Sequence, residues 1–161
     1  MSGGTIARLV QHQFPAVLAL NNANAAETSM LDLAELNDLV EQACYARGIG
    51  EGHDGFLIAV DQNAVYHSPN YQWFRKRHER FLYIDRIVIS EAARGQGLAR
   101  QLYEDLFETG RRLAHRLVGC EVNFDPPNPV SDAFHVALGF QAVGKATDAG
   151  GKTVRYYERA I

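Results

Sequence analysis

Between Phe81 and Ala114 the chain reads FLYIDRIVIS, then EAARGQGLA, then RQLYEDLFETGRRLA. That order commits it to a strand, a glycine-bearing turn and a helix. Ile84, Ile87, Val88 and Ile89 are β-branched, and Phe81 and Tyr83 are aromatic, in a run without Gly or Pro, which predicts a strand. The unbroken apolar stretch at 87–89 predicts burial on both faces. After the turn, Leu98, Leu102 and Leu106 recur at i, i+4 and i+8, with Ala99, Tyr103 and Leu113 near the same stripe. This is the period of a helix with one apolar face. Arg100, Gln101, Glu104, Asp105, Arg111 and Arg112 fall mostly on its wet side.

The turn itself is Arg94-Gly95-Gln96-Gly97-Leu98-Ala99. A helix start leaves backbone N–H groups without partners and carries partial positive charge. Glycines let an anion come close to those groups. The dipole contributes only ~0.3–1 kcal/mol at an exposed site, but several N–H donors acting together on a pyrophosphate exceed that. The same glycines would also serve a plain tight turn that packs strand against helix. A dinucleotide fingerprint needs a third glycine where Arg100 stands, and a P-loop needs Gly-Lys-Ser/Thr, which the turn lacks.

The 161 residues suit one domain, expected to span 1–161. With 47% hydrophobic and 22% charged residues the composition is that of a soluble globular protein. A net charge of −3 supplies no general field for nucleic acid, and the basic run at Arg75, Lys76, Arg77, His78 and Arg80 is short. Cys44 and Cys120 are far apart with no metal-like spacing, so no metal is expected and both read as reduced thiols of a cytoplasmic protein. No apolar run approaches membrane-spanning length, and MSGGTIARLVQHQF lacks the pattern of a signal peptide.

Elsewhere, TIARLV at 5–10 reads as an edge strand, and Phe14 to Ala23 as a helix with Pro15 in its first turn. A polar loop follows at 24–30. Asp32 is placed to cap a second helix from Leu33, with Leu36, Leu39 and Val40 as its stripe. Residues 43–61 read as a hairpin around EGHDG, weakened by Gly48 and Gly50. Residues 62–80 hold Pro69, the single Trp73 and a basic cluster. They read either as a surface loop pinned by Trp73 and Phe74 or as an acceptor-site flap, in which Asn70, Tyr71 and Trp73 line a pocket. Arg116 to Phe124 reads as a strand and Asp125 to Pro129 as an irregular turn. Ser131 to Leu138 is a short helix stopped by Gly139, and a terminal hairpin closes around DAGG.

Two segments carry a resemblance. Arg94 to Ala99 fits R-x-x-G-x-A, and Asn128-Pro-Val-Ser131-Asp-Ala-Phe134-His135-Val-Ala-Leu138-Gly139-Phe140 follows a strand at the right distance from it. Together they resemble the acetyl-CoA loop and the second signature of the GNAT superfamily of N-acetyltransferases. The resemblance covers most of the chain. It implies an α/β (α+β) fold: a mixed central sheet of about seven strands flanked by about four helices. It implies acetyl-CoA as acyl donor, with the backbone of Ile87, Val88 and Ile89 along the pantetheine arm. The N–H groups of Gly95, Gln96, Gly97, Leu98 and Ala99, with Arg94 nearby, would hold the pyrophosphate. Asn128 and Ser131 resemble donor-side contacts. His135 stands where the superfamily often has a tyrosine beside the thioester sulfur, which makes it the candidate general acid; branches resembling phosphinothricin acetyltransferases carry histidine there. Homodimers are common in families resembling this one.

Direct transfer needs a neutral amine. A lysine-like amine of pKa ~10.4 is about three units from neutrality at pH 7, a cost of ~4–5 kcal/mol, whereas an α-amine near ~8 costs only ~1 kcal/mol. Asp85 and Glu121 lie on the two strands that the resemblance splays apart, and are the candidate bases, directly or through water. Asn123 is placed to orient a water or polarise a carbonyl. Trp73, Tyr71, Arg75 and Arg77 point to a small-molecule amine with an apolar part and an anionic group. An acyl-CoA-binding module without transferase activity is the alternative.

Overall fold

The computed structural model describes residues 4–26 and 28–161. Residues 1–3, part of the N-terminal stretch read as lacking a leader, and Glu27, in the polar 24–30 loop, lie outside the described residues. In chain order the elements are β1 Ile6–Arg8, α1 Phe14–Ala23, α2 Leu33–Gln42, β2 Tyr45–Ile49, β3 Gly55–Asp61, α3 Pro69–Arg75 and β4 Leu82–Ile89, then α4 Leu98–Arg112, β5 Leu117–Asp125, α5 Pro129–Ala137, β6 Gln141–Thr147 and β7 Thr153–Ala160. The strands form one mixed sheet in the order β1-β2-β3-β4-β5-β7-β6. Among the described residues only β4 and β5 run parallel, joined by the α4 crossover.

Local chemistry sets most of these boundaries. The Asp32 carboxylate accepts the Glu35 N–H at 2.8 Å while the Glu35 side chain accepts the Asp32 N–H at 3.1 Å, a reciprocal cap worth ~1 kcal/mol. Ser68 caps α3 and Pro69 opens it, where the missing N–H costs nothing. Among the described residues this helix brings the α-helices to five, against about four expected, and it lies inside the segment read as a loop. It is short, and only Tyr71 and Phe74 mark its buried side, too few residues for its period to stand out. Asn128 caps α5 through the Ser131 N–H, so that helix opens at Pro129 rather than Ser131.

The sheet is covered on both faces. On one, α4 lays Leu98, Leu102, Tyr103 and Leu106 over Leu82, Ile84, Val118 and Cys120, with α5 beside it. Each fully buried leucine contributes ~1.5–3 kcal/mol. On the other, α1, α2 and α3 cover Phe56, Ile58, Tyr83, Val88 and Tyr156.

Two irregularities shape the site. The parallel pair β4–β5 has rungs only at Leu82↔Val118 and Tyr83↔Gly119, so the strands part beyond them. On the other edge of β4 the register passes from Ala59↔Ile84 to Ile58↔Arg86, leaving Asp85 as the extra residue of a bulge. A bulge re-aims side chains. Here the consecutive Asp85 and Arg86 both reach partners on the α1–α3 side, Tyr66 for the first and Asn21 and Ser29 for the second.

Candidate active site

The parting of β4 and β5 opens a cleft of about 360 Å³, within the size range of small-molecule pockets. Ile84, Tyr103, Cys120 and His135 reach it from the α4–α5 side, and Tyr66, Asn70, Asp85 and Glu121 from the other. Of the residues singled out from sequence, Asn70, Asp85, Ile87, Glu121, Asn123, Asn128, Ser131 and His135 meet here.

Tyr71 and Trp73 do not. The Tyr71 ring is fully buried, and its hydroxyl donates to the Asp61 carbonyl at 2.7 Å. Trp73 stacks on Tyr156 with centroids 4.1 Å apart, under the Arg77 guanidinium. Arg75 donates to the Gln62 carbonyl. These side chains fasten α3 to the sheet. Helical spacing turns them away from the cleft, where only Asn70 of the expected trio remains.

Glu121 accepts a hydrogen bond from the buried Tyr83 hydroxyl. Burial pushes its carboxyl up to about 8; Tyr83, Lys152 and Arg86 oppose the rise and Asp85 adds to it. Asp85 is held differently. It accepts from the Tyr66 hydroxyl and pairs with Arg86 Nε at 2.7 Å, both side chains nearly inaccessible. Arg86 is anchored in turn by Asn21 Oδ1 at 3.0 Å and the Ser29 carbonyl at 3.2 Å. Both Asp85 oxygens are thus occupied, one by the Tyr66 hydroxyl and one by the Arg86 guanidinium, whereas Glu121 has Tyr83 as its one hydrogen-bond partner among the described residues.

His135 is 5% exposed. Its Nδ1 lies 2.7 Å from the Ser131 carbonyl and its Nε2 2.7 Å from the Tyr103 hydroxyl. A carbonyl only accepts, so Nδ1 carries the proton and Nε2 accepts from Tyr103. Burial lowers the imidazole's pKa and raises the Tyr103 phenol's well above the usual range. The proton between the two side chains therefore belongs to Tyr103. Its place on the apolar stripe of α4 hid it from sequence reasoning. Tyr66, Tyr83 and Arg86 were missed likewise, because nothing in their local spacing separates them from core or surface residues. Cys120 is buried and its thiol pushed well above the usual range, which removes it as a nucleophile.

The turn before α4 fits an acyl donor. Gly95 and Gly97 have φ of +79° and +76°, and a Cβ at either would meet nothing within 4 Å, so the space outside the loop is open to a ligand. Gly97 is the N-cap of α4, and the helix's first N–H groups, from Leu98 on, open onto the same turn. The Leu98 side chain is buried, leaving only its N–H to serve. Arg94 donates to Asn24 Oδ1 at 2.9 Å and to the Ile89 carbonyl at 3.3 Å. Gln96 is exposed. Past Tyr83 the β4 edge facing β5 carries no further rung, which leaves the backbone of Ile87, Val88 and Ile89 in reach of an extended ligand arm. Asn128 and Ser131 serve α5 first, as its cap and as the partner of His135. Among the described residues no cluster of three or more His, Cys, Asp or Glu could hold a metal, and no helix is long and apolar enough to cross a membrane.

The fold and cleft define an acyltransferase of the acetyl-CoA-dependent class. The family model for the acetyltransferase (GNAT) family matches residues 51–140, more than half of the chain, and the chain belongs to that family. Membership of that family supports acetyl transfer over the bare CoA-binding module left open by sequence. No curated protein matches it. Among solved structures it is similar to an N-acetyltransferase from Staphylococcus aureus Mu50, at 18% identity over 99% of each chain with a TM-score of 0.73. It is also similar to the ribosomal-protein-alanine N-acetyltransferase of Brucella melitensis, at 18% over 98% of this chain and 99% of that one, TM-score 0.71. YncA of Salmonella typhimurium, solved with its cofactor acetyl-CoA, is 16% identical over 99% and 94%, with a TM-score of 0.73.

Proposed function

We propose that this protein moves an acetyl group from acetyl-CoA directly to the primary amine of a small molecule, in the cytoplasm. The observation that carries the transfer step is Glu121, a carboxyl inside the cleft that burial pushes up to about 8 and that accepts a hydrogen bond from the Tyr83 hydroxyl. A base near 8 is matched to an α-amine of pKa ~8 and poorly matched to a lysine-like amine near ~10.4. Bound acetyl-CoA supplies an activated acyl carbon on a thiol leaving group. Glu121 takes the proton that the amine loses as the C–N bond forms and the C–S bond breaks. The Tyr103 hydroxyl lies in the same cleft and would reach the sulfur by turning its one proton away from His135 Nε2; a thiol of pKa ~8.5 needs little more than a hydrogen bond to leave. The glycine turn binds and orients the donor through backbone N–H groups. The cleft's volume and its wall of Asn70, Asn123, Tyr66 and Glu121 support a compact polar acceptor.

Calorimetric titration with acetyl-CoA, followed by thiol release across small amines and peptide N-termini, tests this reading. Micromolar donor binding and turnover of small amines are expected. A panel in which only peptide amines react would replace the small-molecule acceptor with a protein terminus. No binding of acetyl-CoA would remove the donor site.

A further inference from the structure

Two cations line the cleft, Arg86 and Lys152. Arg86 is fully engaged by Asp85, Asn21 and Ser29. Lys152 is held only by its backbone. Its N–H donates to Asp148 Oδ1 at 2.9 Å, and its carbonyl accepts the Asp148 N–H at 2.8 Å. Those two bonds fix the turn before β7 and set where the side chain starts. Among the described residues its ammonium makes no hydrogen bond or ion pair.

A second group in the cleft is left in the same condition. Asn70 Oδ1 accepts the Tyr156 hydroxyl at 2.8 Å. That bond orients the amide, so its NH₂ group is the end without a partner among the described residues. Asn123 lines the same wall. A point charge and an amide donor, both unmatched and both at one cleft, are what a carboxylate requires: charge-assisted hydrogen bonds from donors already in place. The opposite requirement, a proton acceptor for an amine, is met by Glu121. The cleft is complementary to a zwitterion.

We propose that Lys152 is the specificity-determining residue of this enzyme, binding an anionic group on the acceptor, so that the acceptor is an amino-acid-like amine carrying a carboxylate. The proposal rests on the transferase reading and deepens it. It also replaces the anion contact expected from Arg75 and Arg77, which lie on α3 and its C-terminal end and are engaged elsewhere. A peptide N-terminus carries an amide where this acceptor carries a charge, so it belongs with the disfavoured class.

The test is thiol release from acetyl-CoA by the full chain. The acceptors are the proteinogenic amino acids, β-alanine and γ-aminobutyrate, each beside its carboxamide, with wild type, Lys152→Met and Lys152→Glu. For the best acceptor, the carboxylate form is expected to exceed its amide at least tenfold in kcat/KM. Loss of the Lys152 charge also acts on Glu121 and so shifts both acceptors alike; beyond that common shift, Lys152→Met should erase the preference by raising KM for the acid and not for the amide, and Lys152→Glu should reverse it. Equal rates on acid and amide in wild type would overturn the proposal while leaving the transferase reading intact. So would an equal loss on both in Lys152→Met, which would make Lys152 a partner of Glu121. Acetyl-CoA binding without turnover of any amine would remove the transferase reading and this inference with it.

Discussion

The Tyr103 hydroxyl and His135 Nε2 lie 2.7 Å apart, and the Ser131 carbonyl on the far side of the imidazole decides which of them holds the proton. His135 occupies the position from which an acid was expected, yet it presents a lone pair to Tyr103. The pair should act as a unit. Tyr103→Phe and His135→Phe are each expected to lower kcat by roughly 10–100-fold, at or below the usual range for acid–base groups because the thiol needs little help. The double variant should be no worse than either single one, since coupled residues are not additive. Acetyl-CoA affinity by calorimetry should hardly move. Full activity in His135→Phe would reduce the pair to a packing contact between α4 and α5.

Gly97 sits in the left-handed region with open space beyond its missing side chain. An L-residue there costs ~1–2 kcal/mol in backbone strain. Gly97→Ala should therefore lower Tm by a few degrees and weaken acetyl-CoA binding. Gly97→Asp should abolish binding, because a carboxylate would stand against the pyrophosphate. Titration of both variants separates the effects: unchanged affinity in Gly97→Asp would mean that the turn holds no anion.

Strands and helices were legible wherever one face or the whole run is apolar. β3, β4, α1, α2 and α4 all announce themselves this way, and the turn glycines mark the donor loop. What escaped depends on contacts distant in sequence. The bulge at Asp85 arises from pairing with β3, so no local pattern shows it. The brevity of α3 hid its period, and Tyr71 and Trp73 were therefore assigned to the acceptor cleft. Tyr83 and Tyr103 read as core aromatics, and they are core aromatics. Their hydroxyls meet ionisable partners only because Glu121 and His135 arrive from a strand and a helix 38 and 32 residues away.

Gly119 makes the parallel pair compatible with α3. A Cβ there would stand 2.7 Å from Phe74 Cδ1 and 2.9 Å from its Cζ. That ring is fully buried against Trp73, Phe81, Tyr83 and Tyr156 and has little room to retreat. Gly119→Ala should cost ~1–3 kcal/mol by overpacking, read as a drop in the chemical-denaturation midpoint. Adding Phe74→Leu, which trims the ring, should make the alanine cheaper than it is in the wild-type background. Additive costs would show that the two sites do not touch.

The proposed role of Glu121 ties activity to stability through one proton. Burial pushes its folded carboxyl up to about 8, against ~4.3 in an unfolded chain. Its contribution to stability is therefore fully present below ~4.3 and is lost as pH rises through about 8. Glu121→Gln keeps the shape and an acceptor for Tyr83 but cannot ionise. Its Tm should pull ahead of wild type across that interval and stay ahead above it. Activity should move the other way. In wild type kcat/KM should climb with pH through about 8 as Glu121 becomes a competent base. In the variant only the acceptor amine's own titration should remain, with kcat/KM lower by roughly 10²–10⁴-fold. Parallel stability curves would place the carboxyl in an ordinary environment. Wild-type rates in Glu121→Gln would send the amine's proton to water instead, because the charge of Asp85 is already matched by Arg86.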